Sequence, residues 1–491
     1  MNILKRPMFY AAVVCIVAAA VSLYVKALSF VIIALSFVII GIVIYRKKYQ
    51  YITVVLAIAL FAVSLVFQFG SINKINAHNY ENVSGQFLVI SEIEEYDTFN
   101  TVTLKAIKTD TLPKNTKYLT FDNKKTKLKM GDIISAQLKV SAIDQYDEYR
   151  LYDYSNGIYA TANCEKISKI NGSNFFYKAA GNIRGYVKRT TSKHFKDDTS
   201  GLLLALTTGD KTLLSDRFLH NVKTTGISHV IVVSGMHLSI IMAAVFLCLD
   251  RLFYNKYIRS LLSVAFVIFI FAVCGFTMSI TRAGAMFIIT GLSSVFNRDN
   301  DSLSSLLTAV TAVLIAAPFA VYNVSFQLSV LSTLAIIWPL QFYYRLIVDR
   351  FSVSSRILKT IISISLCSIF AIIFTLPVTI KTFGFVSIVS PITNLLITYL
   401  ITLVLVCNIA ALALFAVPII KFLAYPLLLI SGLCSKFIVL TVNIIAKLPI
   451  TVAVLPKSAF WISVILIAVV IGYMYYYEYK KKRSDLNANS I

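Results

Sequence analysis

Long apolar runs separated by short charged breaks fill most of the chain, and each is near the ~20 residues that cross a ~30 Å hydrocarbon core. Three open the sequence, at 8–25, 28–45 and 51–69, with Arg46, Lys47 and Lys48 between the second and third. Further runs lie at 226–249, 260–276, 279–296, 303–319, 323–346, 359–380, 391–417, 419–446 and 459–477. The pattern predicts a polytopic α-helical membrane protein of about 12 transmembrane helices. Pro377, Pro391, Pro418 and Pro426 make broken or re-entrant helices an expectation in the last runs.

Between the third and fourth runs the period changes. From 71 to 178 short stretches rich in β-branched and aromatic residues read as strands, at 85–90, 101–107 and 132–140, with turn signals at Asn100, Pro113, Asn123 and Gly131. Their number and spacing suit a small antiparallel barrel, OB-like, a class that often binds oligonucleotides. Fourteen basic against thirteen acidic residues leave 71–178 nearly neutral, so phosphate attraction does not argue for DNA here. The run Lys124, Lys125, Lys127 and Lys129 reads as a solvated turn. Over 179–225, Ile183, Val187 and Phe195 alternate with Arg184, Lys188, Arg189 and Lys193, which predicts amphipathic interfacial helices that tether the barrel or floor a vestibule.

Charge then sets the orientation. The net charge of +23 over 491 residues, with 58% hydrophobic and 14% charged, would suggest a nucleic-acid binder in a soluble protein, but lysine and arginine collect in cytoplasmic loops of membrane proteins anyway. Threading the spans with Lys5 and Arg6 inside puts Arg251, Lys256, Arg259, Arg345, Arg350 and the tail from Lys480 in the cytoplasm. Both termini are then cytoplasmic and the barrel extracytoplasmic. Residues 1–70 form the N-terminal spans, with the first helix uncleaved; 71–178 the barrel; 179–225 the interfacial segment; 226–479 a transmembrane domain; and 480–491 a basic tail. Of seven cysteines only Cys164 falls in the polar region, which therefore forms no internal disulfide.

The chemistry sits inside the spans. After Leu202 every carboxylate lies outside a span or at its edge, which argues against proton- or cation-coupled carriers and leaves a route without groups that repel a polyanion. Instead the run at 226–249 carries His229, Ser234, Gly235 and His237, and later runs carry Arg282, Asn323, Gln327 and Asn394. Arginine grips a phosphate bidentately, and amides offer neutral donors. The alternative is structural: Arg282 snorkels and the amides hold helices together. His229 and His237 are eight residues apart, too far on a continuous helix to share a metal, unless Ser234 and Gly235 break it. With no third ligand and no orienting acid, neither a metal, a cofactor nor catalysis is expected. No Walker-type loop couples the chain directly to ATP.

Several motifs recur in an order that resembles a known family. Leu206-Thr-Thr-Gly-Asp-Lys, Thr225-Gly-Ile-Ser-His, Val233-Ser-Gly-Met-His-Leu, Thr281-Arg-Ala-Gly-Ala-Met, Ser325-Phe-Gln-Leu-Ser and Ser390-Pro-Ile-Thr-Asn-Leu-Leu are similar to patterns of the ComEC family of bacterial competence proteins. The stretch from Asp147 to Ile158 resembles the short aromatic helix and turn that the family carries before its last barrel strand. The resemblance implies an inner-membrane channel that passes single-stranded DNA inward during natural transformation, with a surface DNA receptor and a cytoplasmic helicase-like ATPase as partners and membrane lipids around it. It implies a short form, without the metallo-β-lactamase-like nuclease domain of many members, so that strand degradation falls to a separate nuclease or this member serves another pathway. Two other classes stay open: a permease or flippase for another polyanionic or lipid-linked substrate, and a non-transporting scaffold with a binding barrel.

Overall fold

The computed structural model describes residues 7–22, 52–95, 99–109, 111–122, 128–144, 149–231, 233–276, 278–295, 301–449 and 451–488. The run at 28–45, the Arg46 to Lys48 break, most of the lysine run from Lys124, and Asp147 with Glu148 lie outside the described residues.

The first apolar run forms α1 (Pro7–Ser22) and the third α2 (Ile52–Ala77). The strands are β1 (Asn82–Val89), β2 (Glu94–Glu95), β3 (Asn100–Thr109), β4 (Lys117–Asp122), β5 (Asp132–Ala142) and β6 (Ile158–Ser173), with α3 (Arg150–Ser155) before the last. Next come α4 (Phe175–His194), α5 (Asp197–Thr208), α6 (Asp216–Thr224), α7 (Ser228–Ile231), α8 (Gly235–Leu252), α9 (Lys256–Val273), α10 (Met278–Val295) and α11 (Ser302–Ala316). After a 3-10 turn at Pro318–Tyr322 follow α12 (Val324–Ile337), α13 (Pro339–Arg350), α14 (Arg356–Phe383), β7 (Phe385–Ser387) and α15 (Ser390–Phe415). A second 3-10 turn at Pro418–Leu423, α16 (Ala424–Ile445), β8 (Val452–Val454) and α17 (Ala459–Ala488) complete the chain. Among the described residues, eight helical segments are long and apolar enough to cross a membrane, and two shorter apolar helices accompany them. The protein is a multi-pass membrane protein with an inserted barrel.

The residues divide into two compact units, one of 2–190 with 241–326 and the other of 191–240 with 327–491. In the first, β1 pairs antiparallel with β3 and β5, β3 with β4 and β5 with β6, while β4 and β6 run parallel. Five strands thereby close a barrel, with β2 added beside β3. Period-two alternation fills its interior: Val102, Leu104 and Ala106 of β3, Tyr118 and Thr120 of β4, and Ile134, Ala136, Leu138 and Val140 of β5 are buried. Phe87 and Tyr118 meet edge to face inside it, with ring centroids 6.4 Å apart.

Two joints tie this barrel to helices of its own unit. At one, Phe319 packs its ring against Phe69 of α2, Tyr154 of α3 and Tyr159 of β6, with centroids 5.7, 5.7 and 6.3 Å away. Beside it Asn323 Nδ2 donates to Ser155 Oγ at 3.0 Å, and the Tyr322 hydroxyl donates to the Ala20 carbonyl at 2.7 Å. At the other, Arg184 of α4 reaches Glu92 Oε1 through Nε at 3.1 Å and the Val273 carbonyl through Nη1 at 3.3 Å. Met130, Ala180, Ala272 and Val273 form an apolar cluster nearby.

In the second unit α5 departs from the amphipathic helix expected in 179–225. It is enclosed from Ser200 to Leu206 and at Thr208, all buried, and it packs against α15 and α16. Polar side chains stitch this packing: Asn408 Nδ2 donates to Thr207 Oγ1 at 2.9 Å, Ser435 Oγ to the Thr199 carbonyl at 3.2 Å, and Asn221 Nδ2 to Asn443 Oδ1 at 2.8 Å. Gly432 lies so close to Phe195 that a Cβ there would stand 2.1 Å from the ring. At one end of the bundle β7 and β8 pair antiparallel, joining the segment after α14 to the segment after α16.

The Phe319 joint makes a prediction. Phe319→Ala should cost about 3–5 kcal/mol, as for other buried phenylalanines, and expose the α3 and β6 segments to protease in the full-length protein; unchanged proteolysis would show that the joint bears no load. A second prediction concerns pH. Lys117 lies opposite Lys105 across β3 and β4, and burial, then the Lys105 charge, hold its ammonium below the ordinary value of 10.5. The unfolded chain therefore binds more protons between the depressed value and 10.5, and stability rises with pH across that window. Lys117→Met should flatten this rise, measured as the pH dependence of barrel hydrogen exchange.

Candidate substrate path

The 226–249 run is not one helix. α7 stops at Ile231, α8 starts at Gly235, and Ser234 caps the restart: its carbonyl accepts from the Leu238 amide at 3.1 Å. The Ser234 N–H donates to His237 Nδ1 at 2.9 Å, and Ser234 Oγ lies 3.0 Å from the same nitrogen. This is one half of a capping box, with a histidine three residues into the helix accepting from the N-cap amide as glutamate or glutamine usually does. A ring nitrogen that accepts an amide proton carries none itself, so the neutral ring holds its proton on Nε2. His237 is fully buried and Nε2 has no hydrogen-bond partner. An unpartnered donor at this depth is costly, which makes it notable.

Gly226 begins the same segment in a left-handed conformation, φ +74°, packed against the start of α15. A Cβ there would stand 2.6 Å from Ser390 Cβ and 2.8 Å from Ser387 Cβ, so only glycine fits both the torsion and the space. Ser390 Oγ donates to the Gly226 carbonyl at 3.3 Å and accepts from Asn394 Nδ2 at 3.3 Å, while Asn394 Nδ2 also reaches Ser368 Oγ at 3.2 Å. Asn394 Oδ1 and Ser387 Oγ are buried without partners. A polar seam thus runs from Gly226 through Ser387 and Ser390 to Asn394 and Ser368.

The residues singled out by sequence separate on this geometry. His229, Ser234, Gly235, His237, Gln327 and Asn394 belong to the second unit, and Arg282 to the first. His229 is exposed on the four-residue α7, Ser234, Gly235 and Gln327 are half-buried, and His237 and Asn394 are buried. Arg282 is buried on α10, where Nη1 donates to Met286 Sδ at 3.1 Å. The two histidines sit on different helices, and among the described residues no three His, Cys, Asp or Glu side chains gather to hold a metal ion. Sequence reasoning missed Ser368 and Ser387, which have no distinguishing neighbours, and named Ser390 only within a motif.

The competence-protein family model matches residues 206–480, more than half of the chain and all of the polar seam. The chain belongs to this family. A curated relative, ComE operon protein 3 of Bacillus subtilis (strain 168), is 25% identical over 184 residues, covering 38% of this chain and 23% of the relative. The match therefore spans under a quarter of that relative's length. No solved structure matches the chain. Within this competence-family domain lie the capped break, the seam and Arg282 alike.

The capping role of His237 predicts a split between two substitutions. His237→Ala removes the acceptor of the Ser234 amide and should cost about 1 kcal/mol. His237→Gln restores an acceptor in the usual capping-box residue and should melt close to the parent. Equal melting of all three proteins in detergent would refute the cap.

Proposed function

We propose that this competence-family protein is a channel for single-stranded DNA across the bacterial cytoplasmic membrane, acting in uptake for transformation as a conduit and not as a catalyst. The observation that carries the reading is the set of buried polar atoms without partners in an otherwise apolar bundle: His237 Nε2–H at the capped break, and Ser387 Oγ and Asn394 Oδ1 in the seam beside Gly226. Such atoms are tolerated inside a membrane protein where they line a wet route or meet a substrate. Donors among them guide phosphates without fixing them, and in the first unit the Arg282 guanidinium is of the type that grips a phosphate more strongly. Family membership supports DNA as the cargo.

In this reading about 12 spans hold both termini in the cytoplasm. The five-stranded barrel is OB-like and extracytoplasmic, receiving the strand from a surface DNA receptor. A cytoplasmic helicase-like ATPase draws it inward, and a separate nuclease removes the complementary strand. His229, Ser234, Gly235, His237, Arg282, Gln327 and Asn394 flank the route.

Transport of labelled single-stranded DNA into cells tests this. His237→Ala loses the Nε2–H donor together with the cap, and Arg282→Ala loses the guanidinium. Each should lower uptake about tenfold or more, the size of one charge-assisted hydrogen bond, at parental membrane levels. Parental uptake in both variants would remove these residues from the path, and uptake of a different polyanion in preference to DNA would favour a permease.

A further inference from the structure

The first unit holds a second polar site, away from the seam, at the start of α9. Lys256, Arg259, Ser260 and Ser263 fall on one stripe of that helix and line a recess whose other walls include Phe246 of α8 and Phe287 of α10. From its arrangement we infer that this recess holds the phosphate headgroup of an anionic phospholipid.

Two buried donors in the recess lack partners. Ser263 is 4% exposed and its hydroxyl makes no hydrogen bond, although a helical serine ordinarily returns to the carbonyl four residues back. Arg259 pairs with Asp250 through Nη1, yet its buried Nε has no acceptor. A phosphate oxygen would satisfy both. The Lys256 and Arg259 charges outweigh the single Asp250 carboxylate, and the N-terminus of an eighteen-residue helix, capped by Asn255, adds its positive end.

The rest of the surroundings favour a lipid over a nucleic acid. Phenylalanine walls and the aliphatic side chains of Val264 and Ile288 line the same recess as the cationic groups, and Leu261 and Ile268 stand exposed along the same helix. A headgroup with acyl chains matches both halves, whereas successive nucleotide phosphates would need a continued basic track. Cytoplasmic leaflets are rich in anionic lipid, and the charge pattern assigns this helix end to that side. The site does not depend on what the channel carries.

Native mass spectrometry of the full-length protein in detergent tests the assignment, with phosphatidylglycerol as probe and phosphatidylcholine as control. The parent should retain phosphatidylglycerol, and Lys256→Gln with Arg259→Gln should weaken retention about tenfold without changing phosphatidylcholine. Ser263→Ala, which removes only one buried hydroxyl, should weaken retention severalfold and keeps the test valid if the double variant fails to fold. Equal retention of both lipids, or no effect of Ser263→Ala in the folded protein, overturns the proposal. Displacement of the lipid by inorganic phosphate alone would assign a free-anion site instead, and displacement by a single-stranded oligonucleotide a nucleic-acid site; either also overturns it.

Discussion

A backbone amide inside an apolar bundle must find an acceptor, and at Ser234 that acceptor is an imidazole nitrogen. The break between α7 and α8 depends on that bond. The bond lets a helix stop at Ile231 and restart at Gly235 without stranding the N–H of the Ser234 cap, and it fixes which nitrogen of His237 carries the proton. The remaining donor then points away from the cap with nothing to receive it. Local backbone satisfaction and an unpartnered buried donor are two ends of one ring.

The amides of the bundle divide along similar lines. Asn408 with Thr207 and Asn221 with Asn443 join helices that are far apart in sequence, and this glue role is the structural alternative raised for such residues. Asn394 does both: Nδ2 binds Ser368 and Ser390, while Oδ1 stays buried and unpartnered. Asn323 is occupied by the loop after α3, which makes it part of the barrel joint and not of a path.

Much of this was legible in the sequence because it rests on local pattern. Apolar length located most of the described helices, and short runs rich in β-branched and aromatic residues located β1, β3 and β5, with strand ends displaced by up to three residues. The Ser-Gly-Met-His stretch advertised its break through serine and glycine inside an apolar run. What sequence did not reveal was partnership. The segment 179–225 reads as interfacial because apolar residues alternate with lysines and arginines in its first part, but the middle of α5 is enclosed by α15 and α16. Likewise the capping acceptor at His237, the serines that meet Gly226, and the Phe319 joint each depend on chain segments brought together only by folding.

The small ribbon of β7 and β8 has a mechanical meaning. Its strands, with the bonds from Ile388 to Thr451 and from Leu455 to Gly384 at 3.0 Å each, clasp the turn between α14 and α15 to the turn between α16 and α17. Four helices thus share one rigid clasp at the end of the bundle where Gly226 meets Ser387. Any widening of the bundle at that end must swing these helices as a single lever or tear the ribbon open. Helix spacing there is a property of the whole quartet, not of any one side chain at that end.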